Sequence, residues 1–176
     1  MKRIIASFAA VAAIAVGAPA FAGDQNFQPH GTYQNLGTTS ALGTLAVEQT
    51  VALNCNAAFT IYFESDGKIA WLTSASLSGG TLGLCGLVSF PALAHEVQIE
   101  NPGPSGSGVA TKLRIRNLTV GTLTSSCQGD VIADWDNANG ILTFNNVTIP
   151  GVGGAKDCKI NGKLKAASSL VDIERN

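Results

Sequence analysis

The sequence predicts an all-β protein, an antiparallel β-sandwich built from two similar disulfide-containing hairpin units, and three observations predict it. Apolar and polar residues alternate with period two, as in Phe59, Ile61 and Phe63 against Thr60, Tyr62 and Glu64. Four cysteines, an even number, lie in a chain that begins with an export signal. A pattern of hairpin, glycine turn and cysteine occurs twice.

The export signal occupies 1–22. Lys2 and Arg3 precede an apolar run from Ile4 to Val16, and Ala20-Phe21-Ala22 supplies a small-residue cleavage site. The run is shorter than the ~20 apolar residues that span a bilayer, so no transmembrane segment is expected in the mature chain. Cleavage after Ala22 leaves Gly23 at the new terminus, which carries no lipidation signal. The expected location is outside the cell or on its outer surface. Two of the eleven basic residues leave with the signal, so nine face twelve acidic ones, a formal charge of −3. That balance does not advertise nucleic-acid binding. The remainder divides into an N-terminal segment, 23–44, able to lie extended, and one β-sandwich domain, 45–176.

In chain order the strand candidates are 45–53, 59–63, 69–77, 94–100, 109–120, 131–135, 142–144, 159–165 and 169–174. Ser65-Asp66-Gly67 joins the second to the third, and Asn137-Ala138-Asn139-Gly140 joins the sixth to the seventh, so each pair forms a hairpin with glycine in its turn. Trp71 and Trp135 share the parity of their strands' inward residues, which argues against an aromatic platform for sugars.

Aligning Gly67 with Gly140 puts Cys55 twelve and Cys127 thirteen positions upstream, and Cys85 and Cys158 each eighteen downstream. Units of 55–101 and 127–176 follow; of the three pairings that four cysteines allow, including Cys55 with Cys127 or Cys158, the repeat favours the local one, Cys55 to Cys85 and Cys127 to Cys158. Closing such a loop adds about 3 to 4 kcal/mol on the chain-entropy model. Packing two sheets face to face buries the aromatic and branched sides. An outer-membrane barrel is the rival architecture, disfavoured because two Trp and two Tyr make poor interfacial girdles.

No catalytic constellation, cofactor motif or metal site is expected. Gly103-Pro104-Ser105-Gly106-Ser107-Gly108 lacks the register of a nucleophile elbow and reads as a connector. No C-x-x-C pair exists for zinc, His30 lies in the polar N-terminal segment, and His95 shares parity with Val97 and Ile99 as a packing residue. Asp130, Asp134 and Asp136 alternate along one strand face, and with Asn139 and Gly140 they resemble a calcium loop of the wrong spacing. A hydrolase built on Asp134 and Asp136 would need a cleft where an open face is expected. Lys112, Arg114 and Arg116 form one basic stripe, Lys159, Lys163 and Lys165 another; pairing with Glu96, Glu100, Asp172 or Glu174 is expected to occupy them. From Ile69 to His95 the chain carries no Lys, Arg, Asp or Glu, and the part after Cys85, with Leu87, Val88, Phe90 and Leu93, is poorly alternating and suited to an apolar surface loop.

Phe27-x-Pro29-x-Gly31, Leu53-x-Cys55, Leu72-Thr73-Ser74-Ala75-Ser76-x-Ser78-Gly79-Gly80 and Leu84-Cys85 stand in order, followed by Cys127-x-Gly129, Trp135-x-Asn137, Leu142-Thr143-Phe144-Asn145-Asn146, Ile149-Pro150-Gly151 and Cys158-x-Ile160-x-Gly162. Together they resemble the protein activator of alkane oxidation (PraB-like) family along nearly the whole mature chain. The sequence departs from that family's Pro-Trp step after the second cysteine, reading Phe90-Pro91-Ala92-Leu93. The resemblance implies a non-enzymatic surface accessory for the use of hydrophobic substrates. Its expected partners are hydrophobic surfaces or hydrocarbons, envelope components, or copies of itself. In the last case the uncharged stretch from Gln25 to Val47 adds as a strand to a neighbour's sheet, making a fibre or biofilm-matrix subunit.

Overall fold

The computed structural model describes residues 25–39, 41–101, 111–168 and 171–175; the signal at 1–22 and the connector at 103–108 lie outside the described residues. Eleven strands follow one another: β1 (Gln25–Gln28), β2 (Tyr33–Leu36), β3 (Gly43–Glu48), β4 (Ala52–Phe63), β5 (Ala70–Ser78), β6 (His95–Asn101), β7 (Lys112–Gly121), β8 (Ser126–Asp136), β9 (Ile141–Ile149), β10 (Cys158–Lys165) and β11 (Asp172–Arg175). A 3-10 segment, Thr81–Leu87, interrupts the path from β5 to β6.

Each strand from β3 to β10 pairs antiparallel with the next, and β10 pairs back onto β3. The result is a closed eight-stranded up-and-down barrel, which corrects the expected sandwich. Alternation states only that one side of a strand is buried, and that holds in both architectures. Closure is decided by β4, whose twelve residues accept β3 and β2 end to end on one edge and β5 on the other. Leu36 also bridges Ala166 just beyond β10, so β2 and β3 together fill one place in the wall.

Eight strands enclose a space narrow enough for side chains to fill. Phe59 meets Phe90 and Phe144 edge to face, with ring centroids 5.5 and 6.4 Å apart, and Leu72, Ile115, Leu142 and Leu164 are buried around them. Each such side chain contributes about 1.5–3 kcal/mol through burial. The outward positions carry Lys112, Arg114, Asp130, Lys159 and Lys163, so the polarity runs opposite to that of a barrel set in lipid. Among the described residues no helix is long and apolar enough to cross a membrane.

Four register shifts, in the β4–β5, β6–β7, β7–β8 and β9–β10 pairings, bend the wall and reset what faces inward. Between β4 and β5 the register jumps at Thr60 and Ile61, which leaves Thr73 as the extra residue. Ala70 and Leu72 are therefore buried before the bulge and Leu77 after it, while Trp71 faces outward and is only half-buried. The inward parity read for Trp71 is corrected by this one-residue insertion. Trp135 does point inward, its Nε1 donating to Asn137 Oδ1 at 2.9 Å. The β9–β10 shift falls between Ile160 and Gly162, and Gly162 has a φ of 144° that suits glycine and a position where a Cβ would run into the Thr44 carbonyl.

The N-terminal segment is part of the fold. β1 pairs with β11 in a ribbon that closes one end of the barrel, with Phe27 stacked on Phe63 at 5.0 Å and Ile173 buried beside it. β2 and β3 stand in the wall. The repeat is preserved at its hairpins, where Gly67 and Gly140 take φ of 68° and 61°, and it ends at the C-termini of the units: β6 is wall whereas β11 is lid.

Candidate functional site

Charged side chains of β6, β7 and β8 are engaged with one another. Lys112 Nζ donates to Asp134 Oδ1 at 2.7 Å, and Arg116 approaches Glu96 at 3.8 Å. Arg114 grips Glu100 with two nitrogens, Nε to Oε2 at 2.6 Å, and reaches Asp130 Oδ2 at 2.9 Å. The Arg114 hydrogen bond holds the Glu100 carboxyl below its usual range, and Glu100 in turn raises the guanidinium. Asp130 is lowered first by the backbone N–H of Asn117, which sits at φ 51° in the β7 bulge and donates at 2.9 Å. Asp136 is lowered by the Asn139 side chain of its own turn.

The three aspartates of β8 are thus separately occupied, and the described residues contain no group of three or more His, Cys, Asp or Glu able to hold a metal. Asp134 is half-buried and Asp136 exposed on the outer side of the wall. Asp172 and Glu174 lie in β11 of the lid, so the lysines of β10 face other neighbours: Lys163 stands between Thr44 and Thr143 and Lys159 between Glu48 and Thr148. His30 takes a hydrogen bond with Gln28 at 3.0 Å near the lid. His95 is buried, and desolvation lowers its pKa against the opposing effect of the hydrogen bond its ring donates to the Pro91 carbonyl.

Both disulfides, Cys55–Cys85 and Cys127–Cys158, sit at the barrel end away from the lid. There the β3–β4 turn, the 3-10 loop and the β7–β8 turn surround a groove of about 240 Å³. Val47 and Val88 form its buried floor, and Val51, Leu87 and Leu123 rise from the three segments as its rim, exposed by 64, 49 and 70 %. Among the described residues no charged one lines it. Leu82, on the same loop, is 93 % exposed and adopts φ 56°, a conformation costly to a branched side chain. Cys55–Cys85 ties this loop to β4.

One polar side chain organises the groove. Gln49, 5 % exposed, accepts from Thr122 Oγ1 at 2.6 Å and from Ser125 Oγ at 2.8 Å, and its Nε2 donates to the Lys156 carbonyl at 2.8 Å. Three connections are so joined through one amide.

The charge-free run of the sequence pointed to the Leu87–Val88 side of this groove. Val51, Leu123 and Gln49 were not foreseen, because each stands in a short turn whose place in the mouth depends on barrel closure. Lone exposed apolar residues in such turns were the available signal.

A family model described as alkane oxidation protein activator PraA/PraB-like matches residues 1–173. No curated protein and no solved structure matches the chain.

Proposed function

The chain belongs to the alkane oxidation protein activator PraA/PraB-like family, and from that premise we propose a non-enzymatic, exported accessory that meets hydrocarbon through the groove at the disulfide end. The observation that carries the proposal is the uncharged rim of Val51, Leu87 and Leu123 held in solvent over an apolar floor. Apolar cavities of about 150 Å³ already hold a benzene-sized ligand, so a groove of about 240 Å³ suits a short stretch of alkyl chain. Exposed leucines on separate rigid turns favour contact with a droplet or an alkyl tail over enclosure of a polar substrate.

Export is supported by the leader-like residues 1–22, which fall inside the family match, and by two disulfides, which persist in oxidising compartments. Activation would then consist of presenting substrate, since the paired charges of the wall offer no acid–base couple in a cleft. The alternative of a fibre or matrix subunit requires the stretch Gln25 to Val47 to leave its own pairings with β4, β10 and β11, an exchange of strands between closed barrels.

Adsorption to hexadecane droplets tests the proposal. The disulfide-bonded protein is expected to partition onto the droplets, and Leu87→Ser with Leu123→Ser to lower that partition about tenfold or more, at ~1.4 kcal/mol per decade. Equal adsorption by the double variant would overturn it.

A further inference from the structure

On the wall near the lid three aromatic side chains stand in one row across neighbouring strands. Tyr33 of β2 is the register partner of Tyr62 of β4, and Tyr62 is the partner of Trp71 of β5. All three face outward, since Ile61, Phe63, Ala70 and Leu72 on either side of them are buried. Tyr33 is 66 % exposed and Tyr62 and Trp71 are half-buried, with the two tyrosine rings 4.8 Å apart.

The row is fixed in advance. Trp71 Nε1 donates to Glu64 Oε1 at 2.6 Å, which sets the indole's orientation, and a preset ring loses little freedom on binding. Hydrogen-bonding groups flank it: Asn35 and Thr60, themselves joined at 2.9 Å, lie along one side, Glu64 along the other, and Glu96 faces Trp71 at the end.

We propose that Tyr33, Tyr62 and Trp71 form a binding surface for a neutral polysaccharide. Tyrosine and tryptophan offer an apolar face with a polar tip, the combination that suits a ligand with C–H faces and hydroxyl edges. The pyranose faces stack on the rings, and their hydroxyls meet the amide, hydroxyl and carboxylate groups beside them. Hydrocarbon is a poor occupant, because covering those polar groups without new hydrogen bonds costs free energy. Charge selects against polyanions: Arg116 is held by Glu96, and the carboxylates of Glu64 and Glu96 stand next to the rings. The convex wall encloses nothing, so an extended chain lying across the strands fits it better than a single sugar. The row belongs to the Phe59–Phe63 half of β4, whereas the groove begins at Leu53, so the two surfaces occupy opposite ends of the barrel.

Affinity electrophoresis of the disulfide-bonded protein through gels containing hydroxyethylcellulose, mixed-linkage β-glucan or alginate tests this. Retardation by at least one neutral glucan and none by alginate is expected, with Trp71→Ala and Tyr33→Ala each weakening it about tenfold. Leu87→Ser with Leu123→Ser should leave retardation unchanged. Tyr33 is exposed enough for its replacement to spare the fold, so it decides the matter if Trp71→Ala does not fold. No retardation by either glucan, full retardation of Tyr33→Ala, or stronger retardation by alginate would each sink the proposal.

Discussion

Thr122 Oγ1 donates to Gln49 Oε1 across 2.6 Å, joining the β7–β8 turn to the β3–β4 turn over the mouth of the barrel. The two residues are far apart in sequence, and nothing in either turn announces the other. Their contact, with those to Ser125 and Lys156, makes the groove a rigid feature.

Replacing Gln49 by Leu keeps the volume and removes the amide. Ser125 Oγ and the Lys156 carbonyl then lose their partner, so a stability loss of about 1–3 kcal/mol is expected in urea unfolding. The groove should also loosen, lowering hexadecane adsorption. Unchanged unfolding would mean that water substitutes fully for the amide.

Leu82 holds a left-handed conformation, φ 56°, while 93 % exposed. Glycine accepts that conformation without penalty, so Leu82→Gly is expected to gain up to about 1 kcal/mol in stability. The same change should reduce adsorption to hydrocarbon, separating stability from contact in one variant. A stable variant that adsorbs as before removes Leu82 from the contact surface.

The two disulfides close loops of nearly equal length, with sequence separations of 30 and 31. Replacing either pair by alanines should therefore cost a similar amount, about 3 to 4 kcal/mol on the chain-entropy model. Adsorption should distinguish them. Cys55→Ala with Cys85→Ala frees the loop that carries Leu82 and Leu87, so it is expected to adsorb less than the other pair at matched folded fraction.

His95 gives the fold a pH dependence of defined sign. Burial lowers its pKa below the ordinary 6.5, and its Nε2 has no hydrogen-bond partner among the described residues. Below pH 6.5 the unfolded chain takes up the proton first, so stability is full above that pH and declines as pH falls toward the lowered value. Glu100, Asp130 and Asp136, lowered from 4.5 and 3.8, lose their contribution in a more acid window. His95→Gln should flatten the urea midpoint between pH 7 and 5 and leave the acid window intact.

Much of this was legible in the residues. Period-two alternation gave the strands of both hairpins, with Phe59, Ile61 and Phe63 inward. The common placing of Cys55, Cys85, Cys127 and Cys158 about Gly67 and Gly140 showed where each chain segment returns. Arg114 and Glu100, outward residues of adjacent strands, were a natural pair. Trp71 was misread because one bulge residue, Thr73, reverses parity, and an extra residue in an alternating run leaves no mark when its neighbours are Thr, Ser and Ala.

The sequence by itself determined that one side of every strand would be buried, that the cysteines would close each unit, and that an uncharged stretch would follow the second of them. These depend on residue spacing along the chain, which folding does not change. Only the tertiary structure decided that the sheet closes into a barrel, that 25–36 belongs to its wall and lid, and that Val51, Leu87 and Leu123 meet at one mouth while Tyr33, Tyr62 and Trp71 align on one face. Those outcomes depend on strand register and bulges, where a shift of one residue exchanges inside for outside. Register is settled by the summed packing of all eight strands around Phe59 and Phe144, and no local pattern contains that sum.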